Sequence, residues 1–260
     1  MIRMEHISIV SDSAPSLPTE GRIALILLDR REKRNALTPD MLHNVAACVE
    51  EASHARDVSK RARAIILAGE GEAFSAGFDL KLCRDDPLAL KALLVALADA
   101  LRAIRSAPCS VVIGAHGAAI AGASAMLAAC DFVVADTAIR IGYPVVRIGV
   151  SPAVSGPMLE RAIGPGAARD RLLDPAVIDG RAADRLGLVH TLVDRPEMVR
   201  SAAIALAQRL AAKPAHALSA TKRWLNEVDS SLDESQGARA LEASLAIVGN
   251  VEERALLTEL

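Results

Sequence analysis

IGAHGAAIAGASAMLAACD, residues 113–131, decides the fold. It opens on the end of an apolar run (SVVI, 110–113), passes through a Gly/Ala turn, and closes on small apolar residues of helical length. That order predicts a buried strand feeding a tight turn into a buried helix. The N-terminus of such a helix offers N–H groups with no internal partner and a partial positive charge. From Ser106 to Cys130 there is no Asp, Glu, Lys or Arg, and about 20 apolar residues can span a bilayer. Pro108, Gly114, His116, Gly117 and Gly122 interrupt the run, however, and favour strand, turn and helix over a membrane span.

Working outward, further strand-like runs are His6–Val10, Arg22–Leu28, Ala64–Leu67, Ser110–Ile113, Phe132–Ala135 and Leu188–Val193. Helical patterns alternate with them at Pro39–Glu51, opened by the N-cap Thr38, and at Pro87–Ile104. Such alternation predicts an α/β core with parallel strands. After about Pro196 the strands stop, and Arg200–Ala212, Ala215–Glu227 and Leu232–Val248 read as helices. The chain therefore divides into an α/β core (1–195) and a C-terminal helical part (196–260).

Composition agrees. The 260 residues are 52% hydrophobic but 2% aromatic, with 30 Lys and Arg against 32 Asp and Glu. A balanced charge and few aromatic rings argue against nucleic-acid binding. Cys48, Cys83, Cys109 and Cys130 lack metal-ligand spacing, so neither a metal site nor a disulfide framework is expected. The N-terminal sequence MIRMEHISIV does not read as a signal peptide. A cytoplasmic protein with no membrane contact is the expectation.

Two other segments carry chemistry. DRREKRNAL (29–37) has four basic residues among its first six and suits a phosphorylated ligand as well as a solvated turn. AFSAGFDLK (73–81) places small residues and Gly77 at a turn whose backbone N–H groups can face a cavity. With HGAAIAGASAMLAACD (116–131), IGYPVVRIGVSPAVSG (141–156) and GRAADRLGLVHTLVD (180–194), these stretches resemble the crotonase (enoyl-CoA hydratase/isomerase) superfamily over roughly residues 20–225.

The resemblance implies a spiral of ββα units with a C-terminal helical trimerisation part, and a homotrimer or a hexamer built as a dimer of trimers. The ligand would be an acyl-CoA thioester acting as substrate, with no further cofactor. By position, the backbone N–H groups of Phe78 and Gly122 would hold the thioester oxygen. Arg34 and Ala36, with Ala76, Asp79, Leu80 and Lys81, would line the coenzyme A channel, and Arg34 and Lys81 would reach its phosphates. The resembled hydratases also need two glutamates around one water. Here the corresponding positions are Ala125 and Val145, and the following loop, Ser151–Gly156, carries no acid. Ordinary hydration is therefore expected to be weak, with isomerase or lyase chemistry favoured. The alternative is a non-catalytic acyl-CoA binding protein. His116 and Tyr143 are the remaining acid/base candidates, although His116 reads more readily as a structural residue and a buried, hydrogen-bonded Tyr143 is the default; Arg147, Ser151 and Ser155 would bind a polar acyl group or simply serve the turn.

Two other classes fit poorly. Gly122-Ala123-Ser124-Ala125-Met126 lacks the second glycine of a serine nucleophile elbow, and Asp184 and His190 make no convincing partners for Ser124. Gly164–Arg169 lacks the third glycine of a dinucleotide loop and follows helical sequence.

Overall fold

The computed structural model describes residues 1–8, 22–55, 61–86 and 88–259. Its strands, in chain order, are β1 (Ile2–Ser8), β2 (Arg22–Leu28), β3 (Ala62–Gly69), β4 (Ser110–Ala115), β5 (Ala118–Ile120), β6 (Phe132–Asp136), β7 (Arg140–Gly142) and β8 (Thr191–Val193). Six form one sheet in the order β1-β2-β3-β4-β6-β8. Only β1 runs antiparallel to its neighbour. The helices are α1 (Pro39–His54), α2 (Leu80–Asp85), α3 (Ala89–Ser106), α4 (Gly122–Ala129), α5 (Gly156–Ile163), α6 (Pro165–Leu173), α7 (Gly180–Arg185), α8 (Val199–Ala211), α9 (Ala215–Val228), α10 (Glu234–Leu245) and α11 (Val251–Thr258).

The near-continuous apolar composition of β2 follows from its position. A parallel strand covered on both faces has no solvent side to leave polar. Alternate residues go to opposite layers. Ala24, Ile26 and Leu28 join Leu42, Val45 and Leu97 in one layer, whereas Ile23, Leu25 and Leu27 face Val199, Ala203 and Ala207 of α8 in the other. Helix α8 thus closes the second face of the sheet. By packing, α8 belongs with the α/β core, which reaches Ala211 on this face.

The α/β class holds, with differences in detail. β1 begins four residues before the expected His6 start, and Val10 lies outside the described residues, as does Pro87 at the expected start of α3. The last core strand begins at Thr191 rather than Leu188. Helices α5, α6, α7 and α11 were not apparent in the sequence pattern, nor was the small parallel sheet of β5 and β7. No described helix is long and apolar enough to cross a membrane.

Candidate active site

Two short segments run side by side at the ends of the central strands. Ser75 bridges Ala119, with Ser75 N donating to Ala118 O (2.9 Å) and Ile120 N donating to Ser75 O (3.2 Å). Three residues beyond each member of this bridge stand Phe78 and Gly122. On its other side Phe78 is flanked by Leu37, whose N–H donates to Gly77 O (2.7 Å) and whose carbonyl accepts from Asp79 N (2.9 Å). This pattern turns the Phe78 N–H away from Leu37. Gly122 is the first residue of α4, so its N–H has no intrahelical acceptor. Neither N–H has a hydrogen-bond acceptor among the described residues.

The bend before Gly122 is strained. Ala121 adopts φ +53° and ψ −112°, a conformation that costs a non-glycine residue about 1–3 kcal/mol. It is held by Ala121 N donating to Gly142 O (2.8 Å). Ser124 secures the same crossing: its hydroxyl donates to Ala119 O (2.6 Å) and accepts from Gly142 N (3.1 Å). That hydroxyl is buried and engaged, which removes Ser124 as a nucleophile.

Phe78 fills the space that a side chain at 122 would need. A Cβ on Gly122 would lie 2.8 Å from Phe78 Cε1 and within 3.5 Å of Leu37 and Leu97. The ring therefore packs on the Cα beside the second N–H group.

Buried polar side chains fix the frame, and the sequence pattern did not reveal them. Asn35 is fully buried. Its Oδ1 accepts from Arg30 N (2.8 Å), and its Nδ2 donates to the carbonyls of Glu70 and Ala73 (both 2.9 Å). Arg30 pairs with Asp79 at 2.7 Å and donates to Ala36 O (2.9 Å). Asp136, also buried, accepts from Gly117 N and Ala138 N (both 3.0 Å). The available signal was residue type alone: Asn and Asp beside turns bond local backbone.

Of the two positions that lack the family's glutamates, Ala125 is fully buried in the core and Val145 is partly buried against it. Tyr143 is 2% exposed, and its hydroxyl has no partner among the described residues. Burial alone pushes its phenol upward, so it stays protonated. His116 is held in a structural contact. Its Nε2 lies 2.9 Å from the Gly71 carbonyl, and its own carbonyl accepts from Phe74 and Ala118 N–H groups. The ring ties one turn to another.

The coenzyme A candidates divide similarly. Ala76 N donates to Arg34 O (2.9 Å), which joins the Arg34–Ala36 turn to Ala76–Asp79. Arg34 and Lys81 are exposed, with no ion-pair partner among the described residues. Leu80 starts α2, but the Asp79 carboxylate is committed to Arg30 and to Leu82 N (3.4 Å). Burial alone would raise this carboxyl. The hydrogen bonds from Arg30 and Leu82, with the Arg30 and Lys33 charges, outweigh burial and hold it below its ordinary value. Arg147 is exposed, Ser151 accepts from Ala153 N (3.3 Å), and Ser155 is buried. A cavity of about 250 Å3 between α3, α5 and α10 is lined by Ala98, Leu101, Val154 and Met158, with Arg102 and Glu234 also on its wall.

Residues 18–252 match the family model for enoyl-CoA hydratase/isomerase. A protein of Thermus thermophilus that carries an enoyl-CoA hydratase name is 33% identical over 210 residues, covering 79% of this chain and 81% of that one. The crystal structure of an enoyl-CoA hydratase/isomerase from Xanthobacter autotrophicus Py2 superposes with a TM-score of 0.80 at 28% identity, covering 91% and 88% of the two chains. One from Mycobacterium paratuberculosis also reaches 0.80, at 26% identity, with 92% and 94% covered. The chain belongs to the enoyl-CoA hydratase/isomerase (crotonase) family.

Proposed function

We propose that this protein binds an acyl-CoA thioester and stabilises its enolate between the Phe78 and Gly122 N–H groups, with isomerase or lyase chemistry in place of efficient hydration. The observation that carries the reading is the pair of unpartnered N–H groups on adjacent parallel segments. One donor of this kind contributes roughly 2.7–4 kcal/mol to a barrier when charge develops on the oxygen. Ala125 and Val145 supply the other half of the reading, because neither can hold or activate a water. The thioester itself brings the reactive group, and no other cofactor is invoked.

Arg34 and Lys81 would bind the phosphates of coenzyme A at the surface. The acyl group would run along α3, where Leu97 approaches Gly122, its neighbour Ala98 lines the cavity, and Leu101 lines it one turn further. The protein would work as a homotrimer or a dimer of trimers.

The test is spectroscopic and kinetic. Cinnamoyl-CoA absorbs at longer wavelength when its carbonyl is polarised, so bound cinnamoyl-CoA should show a red shift. Crotonyl-CoA should be hydrated far more slowly than 3-enoyl-CoA is isomerised. Absence of the red shift, or hydration at the usual rates of the family's hydratases, overturns the reading. Binding with the red shift but no turnover of any enoyl thioester would favour the non-catalytic alternative.

A further inference from the structure

We propose that Glu253, on the C-terminal helix α11, is the carboxylate that moves the substrate proton in place of the two acids missing at 125 and 145. The inference rests on the acyl-CoA reading above. Among the described residues two carboxylates are buried, Asp136 and Glu253. Both Asp136 oxygens are taken by backbone N–H groups. Nearer the N–H pair, Asp79 is held by Arg30. Glu253 is 4% exposed, and one of its oxygens accepts from Gly249 N. The other has no protein partner among the described residues. It is also not sealed away, since the sealed unpartnered atoms there are Arg105 Nε and the Tyr143 hydroxyl.

Its position follows from what α11 packs against. The helix lies on α2, which begins two residues after Phe78, and on the 3-10 turn Pro144–Ile148, which contains Val145. A Cβ on Gly149 would lie 2.8 Å from Glu253 Cα and 3.0 Å from its N, so the helix start sits directly on the end of that turn. Gly149 N in turn bonds the Val145 carbonyl. On the α2 side, burial first and then the charges of Asp79 and Glu253 push the Cys83 thiol up to about 12. Glu253 thus sits on the helix that packs against α2, the element that follows the segment carrying the first N–H donor.

In the proposed step, the free Glu253 oxygen takes a proton from C2 of the acyl group. The C–H electron pair becomes the C1–C2 π bond, and the negative charge passes to the thioester oxygen between Phe78 and Gly122. The proton then returns to C2 or, in a 3-enoyl thioester, to C4 as the double bond moves to C2–C3. No oxidant or further reactant is needed.

Glu253 also closes a helix cap with Asn250, whose side chain accepts from Glu253 N (2.9 Å). Truncation to alanine could therefore act through folding alone. Gln serves equally well in such a box, so Glu253→Gln keeps the cap and removes only the titratable oxygen. The experiment follows exchange of the C2 protons of butyryl-CoA in D2O by NMR. Wild type should exchange them. Glu253→Gln should slow exchange by about 100-fold or more, with unchanged melting temperature, unchanged butyryl-CoA affinity and an unchanged red shift of bound cinnamoyl-CoA. Exchange at the wild-type rate in Glu253→Gln overturns the inference, and so does wild-type binding without exchange. Loss of binding or of the red shift in wild type would instead bring down the acyl-CoA reading, and this inference with it.

Discussion

Phe78 and Gly122 are coupled through a side chain even though their chemistry is in the backbone. With 2.8 Å between Phe78 Cε1 and a Cβ at 122, Gly122→Ala should destabilise the protein by about 1–3 kcal/mol, the usual cost of forcing a methyl into a packed core. In a Phe78→Ala background the same change should cost less than half as much, because the ring that clashes is gone. Urea denaturation of the four proteins of this cycle measures it, and equal costs in both backgrounds would refute the contact. Tyr143 gives the opposite sign. Its buried hydroxyl has no partner among the described residues, so Tyr143→Phe should raise stability by about 1 kcal/mol. A clear loss of stability would show that the hydroxyl is satisfied after all. At this scale the sequence revealed where Phe78, Gly122 and Tyr143 stand, because flanking residues of particular types mark them. It did not reveal where their side chains point. The ring of Phe78 on Gly122, the orphaned phenol and the His116–Gly71 tie are products of tertiary packing that no spacing encodes.

At the scale of elements, long patterned segments were legible and short ones were not. The run RIALILL predicted β2 residue for residue, and Pro39 after Thr38 marked the start of α1. β5 and β7 have three residues each, too few for a period to register. Yet Ala121 and Gly122 directly follow β5, and Gly142 ends β7, so the unseen sheet is the one that places the second donor. Helix α2 depends on a charge pair. The Arg30–Asp79 contact at 2.7 Å also positions the Asp79 cap. Because the Asp79 carboxyl titrates lower in the folded chain than its ordinary 3.8, its contribution is fully present above that value and is lost as pH falls through the lower folded-state value. Asp79→Asn should therefore lower unfolding free energy at pH 7, and the deficit should shrink below pH 4. A deficit that stays constant through that range would remove the ion pair from the account. The Asp131–Lys222 contact (2.6 Å) ties α9 to the start of β4, since the same oxygen accepts from Val111 N (2.7 Å). With both side chains largely buried, Asp131→Ala should cost about 3 kcal/mol, the order found when one partner of such a pair is removed. A loss below about 1 kcal/mol would place the pair with ordinary surface contacts.

Across the whole molecule, the surface left uncovered is as informative as the core. Helix α9 buries little beyond Asn226, which donates to Arg105 O (3.1 Å). On its outer side Trp224 is 62% exposed, Leu225 56% and Val228 63%. The only tryptophan in a chain with five aromatic residues thus lies in solvent. The sequence showed α9 as a helix of the C-terminal part but not which of its faces was spare, because that depends on how Lys222 and Asn226 dock it to the core. A second copy of the chain is the occupant the trimer reading assigns to this face. Burying about 150 Å2 of indole at roughly 25 cal/mol per Å2 would stabilise such an association by about 4 kcal/mol per protomer. Trp224→Glu would both forfeit that term and place a charge in the contact. Wild type should therefore sediment at three or six times its 27.3 kDa chain mass, and Trp224→Glu at one, with an unchanged circular dichroism spectrum because the residue touches no core. A wild-type monomer would overturn the assignment. A variant that keeps the wild-type mass would move the interface off α9 while leaving the oligomer intact.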